Sequence, residues 1–189
     1  MRHKYATPAL VLGKSHVGEA TTSVLLLTPD FGVVRARSQG LRKPAAKMSA
    51  ALQTFAHSDV SLLRGKDGWR TTGAILVENY AKRLSIAERS RLARVTELLQ
   101  RLVRGEHREP ELYILITMYI RALEEFTDEE FQDAAECLAA LRLLHLLGFD
   151  AGELPGEYDD FSIPTITIAS LERTNLIVRI NNGIAASGL

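Results

Sequence analysis

The apolar positions change their spacing near residue 80. Before it they fall in short runs and alternations. Ala9–Gly13 and Thr22–Thr28 are rich in Val, Leu and Thr, and Val33–Gln39 follows the turn Pro29-Asp30-Phe31-Gly32. Pro pre-sets its own φ and Gly permits a positive one, so Thr22–Gln39 reads as an antiparallel hairpin. His16-Val17-Gly18-Glu19 reads as the connection before it. Asp59–Arg64 and Ala74–Glu78 form a second pair around Gly65-Lys66-Asp67-Gly68. Five strands within about eighty residues predict a small closed or nearly closed barrel. Closure removes the strand edges that invite aggregation. Between the hairpins, Gly40-Leu41-Arg42-Lys43-Pro44-Ala45-Ala46-Lys47-Met48 reads as an exposed cationic loop.

From Ser85 the period becomes helical. Ser85-Ile86-Ala87-Glu88 has the spacing of a capping box. Leu92, Val95, Leu98, Leu99 and Leu102 then share one face, predicting a helix over 86–104 that Gly105 ends. Pro110 suits the first turn of a second helix over 110–126, apolar almost all round and therefore central. Thr127-Asp128-Glu129-Glu130 is a second capping-box pattern, opening a helix over 128–147 with Gly148 as its stop. Beyond it, Ala151–Asp160 reads as an acidic loop, Ile163–Ile168 alternates with Thr like a short strand, and Ser170–Asn182 suits a last helix. The fold class expected is α+β. Its domains would be a barrel over 1–82 and a helical domain over 83–189 with an irregular carboxy-terminal tail.

Charge sharpens that division. The total is zero, 23 Lys+Arg against 23 Asp+Glu, yet residues 1–83 hold 13 basic and 5 acidic side chains and residues 84–189 hold 10 and 18. All six lysines lie at or before Lys82. Such asymmetry points to nucleic acid or another polyanion as a partner of the first half. The single cysteine, Cys137, excludes an internal disulfide and a Cys-rich zinc site, and reads as a buried thiol on a helix. Met1–Thr7 leads into a strand-like segment, so no secretory leader is expected. Leu112–Ile120 is far too short to span a bilayer. A cytoplasmic protein is the expectation.

Holding a nucleic-acid strand requires cations along a groove and, often, flat side chains for stacking. Arg35 and Arg37, two apart in a strand, project from one face. Arg42, Lys43 and Lys47 follow on the loop, and Arg64, Lys66 and Arg70 cluster around the second hairpin turn. These eight are the candidate DNA-binding residues. Phe31 and Trp69 are candidate stacking platforms; for Phe55 and Trp69 a place in the core or as a barrel-end plug is the alternative. In the second half, Arg121 and Arg142 stand on otherwise apolar helices. Either could receive a partner's terminal carboxylate beside an apolar groove, or pair internally with Glu124, Glu125 or Glu136.

Several segments, taken in order, resemble one family. Leu10-Val11-Leu12-Gly13, Gly18-Glu19-Ala20, Leu25-Leu26-Leu27-Thr28-Pro29, Gly32, Ala36 through Lys43 and Leu52-Gln53-Thr54-Phe55 resemble the amino-terminal region of the bacterial recombination mediator RecO. Leu141 through Asp150 is similar to that family's helical domain. The resemblance implies an oligonucleotide/oligosaccharide-binding (OB) barrel followed by helices. It implies binding of single- and double-stranded DNA, annealing, and loading of RecA together with RecR in DNA repair. It also implies contact with the acidic tail of single-strand DNA-binding protein. Many members carry a four-cysteine zinc module after the Gly-Phe-Asp segment. Here Gly148-Phe149-Asp150 is followed by Ala151-Gly152-Glu153-Leu154-Pro155 without a cysteine, so no metal and no other cofactor is expected, and the tail reads as short.

Catalysis finds little footing. His3, His16, His57, His107 and His145 show no ligand spacing, and no P-loop, dinucleotide fingerprint or nucleophile elbow is present. The acids Glu124, Glu125, Asp128, Glu129, Glu130 and Asp133 surround a helix start, where carboxylates are favoured in any case. No enzyme is expected. The alternatives to DNA are an OB-type module for RNA, or a scaffold whose basic half binds an acidic protein.

Overall fold

The structure, a computed structural model, describes residues 3–17, 21–39, 48–103, 105–106 and 108–189. The chain divides into two compact units, Met1–Arg83 with Gly105–Tyr113, and Leu84–Arg104 with Ile114–Leu189.

The first unit is a closed five-stranded barrel. Its strands are β1 (His3–Val17), β2 (Thr21–Thr28), β3 (Gly32–Gln39), β4 (Ala56–Gly65) and β5 (Gly68–Asn79), in the order β1-β2-β3-β5-β4. All pairings are antiparallel except β3 with β5, which is parallel and short: Ala36 lies opposite Trp69 and Arg37 opposite Arg70. This five-stranded order is that of an OB barrel. Alternate side chains fill the interior: Ala9 and Val11, Val24 and Leu26, Val34 and Ala36, Val60 and Leu62, with Leu52, Ala56 and Trp69. The period of two separates a dry inside from a more exposed outside on β3 from Val34 onward and on β4, whereas Ala9–Leu12 of β1 and most of β2 are buried on both faces.

Two strands outrun their expected bounds. β1 extends through His16 and Val17, which sequence alone assigns to a connection, because both pair with β2 at Thr22 and Thr21. β5 begins at Gly68, directly after the turn, and not at Ala74. Gly68 takes φ +92, which closes the two-residue Lys66-Asp67 turn between paired Gly65 and Gly68. A short helix, α1 (Tyr80–Arg83), follows β5.

The second unit is helical: α2 (Ile86–Leu102), α3 (Pro110–Glu125, from Ile114 onward), α4 (Glu129–Leu146), α5 (Ile163–Leu171) and α6 (Arg173–Ala186). Ser85 and Glu88 form the expected capping box, each side chain bonded to the other's backbone N–H. At α4 the cap shifts by one residue. Asp128, not Thr127, is the N-cap, and its carboxylate accepts from Glu130 and Phe131 N–H. Leu115, Ile116, Tyr119, Ile120 and Leu123 are fully buried along α3. Arg91–Asp133 (2.6 Å) and the two-pronged Arg94–Glu136 pair (2.5 and 2.6 Å) tie α2 to α4. Cys137 is half-buried rather than buried, and desolvation raises its thiol pKa.

The end of the chain corrects the sequence reading. Ile163–Ile168 is helix, not strand, and the tail is two helices, not irregular chain. Ser162 precedes α5 in extended conformation and Pro164 occupies its first turn, a helix opening that prevails over the β-branched Ile/Thr alternation. Ala151–Asp160 carries no regular element. No helix among the described residues is long and apolar enough to cross a membrane.

Candidate nucleic-acid interface

The barrel's outer surface gathers four of the eight candidate cations. On β3, Val34, Ala36 and Ser38 point inward and Arg35, Arg37 and Gln39 outward. The parallel register places Arg37 beside Arg70, both exposed. With Val17, Thr21 and Gln39 they line a cleft of about 280 Å³. Arg70 also lines a larger cleft, about 710 Å³, together with His3, Tyr5, Leu63, Arg64 and the turn Gly65–Gly68 that carries Lys66. One continuous band therefore runs from Arg35 along β3, across the β3–β5 junction, to the β4–β5 turn. Among the described residues, Arg35, Arg37, Lys66 and Arg70 make no ion pair.

Arg64 behaves differently. Its Nη1 lies 2.8 Å from Glu106 Oε2, and its guanidinium sits 5.0 Å from the centroid of the Trp69 ring. Trp69 Nε1 donates to the other oxygen of Glu106 at 2.8 Å. Glu106 is the residue that sequence reasoning missed. It lies far along the chain, in the segment Gly105–Tyr113 that belongs to the barrel unit, and no local spacing signals it. The same segment is held at its other end by Tyr113, whose hydroxyl lies 2.7 Å from His57 Nε2. Burial, with Asp59 adding to it, pushes the Tyr113 pKa up to about 12, so this hydroxyl keeps its proton at neutral pH.

Trp69 is 2% exposed and joins Tyr5 and Phe31 in a three-ring plug with centroids 5.1–5.6 Å apart. Of the two readings of Trp69, core residue is the one realised, and its ring offers no face for stacking. Half-buried Phe31 and Tyr5 leave only partial edges. Arg42, Lys43 and Lys47 lie outside the described residues.

The two helical candidates part company. Arg121 is exposed on α3, with Nη1 4.0 Å from Met118 Sδ. Arg142, read as either a docking residue or an internal partner, is 0% exposed. Its Nη2 donates to Pro155 O at 2.6 Å and its guanidinium lies 4.9 Å from the Phe161 ring centroid. The loop after α4 folds back over it, so its contacts are internal, though not to the glutamates anticipated.

Comparison with known proteins agrees with the barrel. The family model described as Recombination protein O N terminal matches residues 1–80. The chain is 31% identical over 129 residues to the DNA repair protein RecO of Dehalococcoides mccartyi, covering 68% of this chain and 51% of that protein. It is 33% identical over 146 residues to the DNA repair protein RecO of Heliobacterium modesticaldum, covering 77% and 52%. The chain spans about half the length of the curated relatives it matches.

Proposed function

The chain belongs to the RecO family, and from that premise we propose that it binds DNA in repair and recombination through the outer face of its barrel. The observation that carries this reading is the pairing of Arg37 with Arg70 across the β3–β5 junction, flanked by Arg35 and Lys66, with no carboxylate partner among the described residues. In OB barrels the face of strands 2 and 3 and the loop between strands 4 and 5 are where oligonucleotides bind. Arg35 and Arg37 on β3 and Lys66 in the β4–β5 turn match those two places, with Arg70 next to them on β5. They displace condensed counterions from phosphates and hold the backbone without reading bases. The buried Trp69 supports sequence-tolerant binding, since stacking on it is closed off.

In this proposal residues 1–82, joined by the returning segment Gly105–Tyr113, act as the strand-holding module and the rest of 83–189 as a docking domain. Held strands anneal, and RecR, the acidic tail of single-strand DNA-binding protein and, indirectly, RecA are the partners proposed from the family. No chemical step is required of the protein.

The test is fluorescence anisotropy of a labelled single strand against salt. Four phosphates contacted by Arg35, Arg37, Lys66 and Arg70 give a log–log slope of about −3, at roughly −0.7 per phosphate. Arg37→Glu with Arg70→Glu is expected to weaken every sequence alike and to flatten the slope by about 1.4. Full affinity in the double variant would remove the junction from the interface. An RNA competitor that displaces the strand at lower concentration than DNA would favour the RNA module instead.

A further inference from the structure

We infer that Trp69 Nε1 and Arg64 form an oxyanion site which the Glu106 carboxylate fills in the free protein and a backbone phosphate takes when a strand binds. This rests on the reading that the barrel holds nucleic acid. Both oxygens of one carboxylate are engaged by separate N–H donors, Oε1 by the indole and Oε2 by the guanidinium, each at 2.8 Å. The indole ring is buried, so its N–H is fixed in direction and requires a partner. The guanidinium lies over the indole, 5.0 Å from its centroid. Two convergent donors suit the non-bridging oxygens of a phosphodiester as well as those of a carboxylate.

The position of the site matters as much as its donors. Arg64 lines the cleft that Lys66 and Arg70 also line, so a strand lying along those cations passes it. Gly105, at φ +95, supplies the left-handed turn that presents Glu106. The Arg64 and Glu106 side chains are 57% and 38% exposed, so an incoming anion reaches them without any core opening. Exposed ion pairs contribute little, and the carboxylate is therefore a shallow plug. Glu106 keeps the indole N–H satisfied in the free protein and sets a threshold that only a strand held by several cations at once can exceed.

The chain has one tryptophan, so its emission reports this site alone. The experiment compares the full chain with Glu106→Gln and Asp67→Asn, titrated with a labelled oligothymidylate. Asp67 stands on the same cleft but touches neither donor among the described residues, so it controls for net charge. Glu106→Gln is expected to tighten binding about tenfold, equivalent to about 1.4 kcal/mol, and Asp67→Asn by less than about threefold. The strand is expected to shift Trp69 emission in the unsubstituted protein. Glu106→Asp keeps the charge and withdraws the carboxylate by one carbon; it too should tighten binding. Equal gains from the Gln and Asn variants, or saturating strand with Trp69 emission unmoved, would overturn the inference and leave strand binding standing. Failure of both the unsubstituted protein and Glu106→Gln to bind would overturn both.

Discussion

Arg142 carries a charge where solvent does not reach. One of its N–H groups bonds Pro155 O, while Nε and Nη1 have no hydrogen-bond partner. Burial draws its pKa down to about 10, against the pull of Asp160, Asp159 and Glu157, so the group is still a cation at neutral pH. A buried cation with two idle donors is held mainly by its volume and by the Phe161 ring. Arg142→Met keeps most of that volume and removes the desolvated charge, and stability is expected to change by less than about 1 kcal/mol. Both substitutions leave Pro155 O without that donor, and Arg142→Ala opens a cavity besides, so it should lose about 3 kcal/mol. Urea midpoints measure both, and equal losses would show that the charge itself is needed. Phe55 is a second residue whose role is set by its surroundings. It sits at φ 63, in the left-handed region that glycine favours, with its N–H on Val11 O (2.7 Å) and its carbonyl receiving Tyr80 N–H (3.1 Å). Nothing in the side chain of a phenylalanine announces that backbone, which costs about 1–3 kcal/mol and persists because both neighbours hold it.

Among the elements, what was legible in the sequence is what local spacing encodes. The Arg35/Arg37 alternation, the Ser85–Glu88 box and the helix faces are contacts between near neighbours, and the structure has them. The contact of Arg37 with Arg70 depends on a parallel pairing of strands that are distant along the chain, and Glu106 on a segment returning to the barrel. No periodicity carries such information. The Ile/Thr run of α5 failed for the opposite reason: six residues satisfy both periods, and Ser162-Ile163-Pro164 decided it. What precedes α5 is held by charge. Arg179 on α6 grips Asp150 at 3.0 and 2.6 Å and Glu153 O at 2.8 Å, and a Cβ on Gly152 would come within 2.5 Å of that guanidinium. The Arg179 hydrogen bonds hold the Asp150 pKa below its ordinary value; those from Thr165 and Ser162 do so for Asp160. A carboxyl with a lowered folded pKa adds stability above its unfolded value, near 3.9, and loses it as pH falls through the folded value. Arg179→Met should therefore be less stable than the unsubstituted protein by about 2 kcal/mol at neutral pH. The gap should close below about pH 4. A gap that stays constant in pH-dependent urea titrations would assign Arg179 to packing alone.

For the molecule as a whole, the zero net charge is the quantity that governs encounter with a polyanion. Residues 1–83 sum to +8 and residues 84–189 to −8, so no overall charge draws a strand in from afar. At low salt, with a screening length of about 30 Å at 0.01 M, a strand senses both signs. Near 0.1 M the length is about 10 Å and only the cations next to the phosphates act. Salt should then weaken the bound complex rather than the approach to it. Between about 0.05 and 0.2 M salt, the loss in single-strand affinity is expected in the dissociation rate, with the association rate changing less than about threefold. Stopped-flow anisotropy separates the two. An association rate that falls as steeply as the affinity would mean that the barrel's field reaches the strand before contact, and that the acidic half does not offset it.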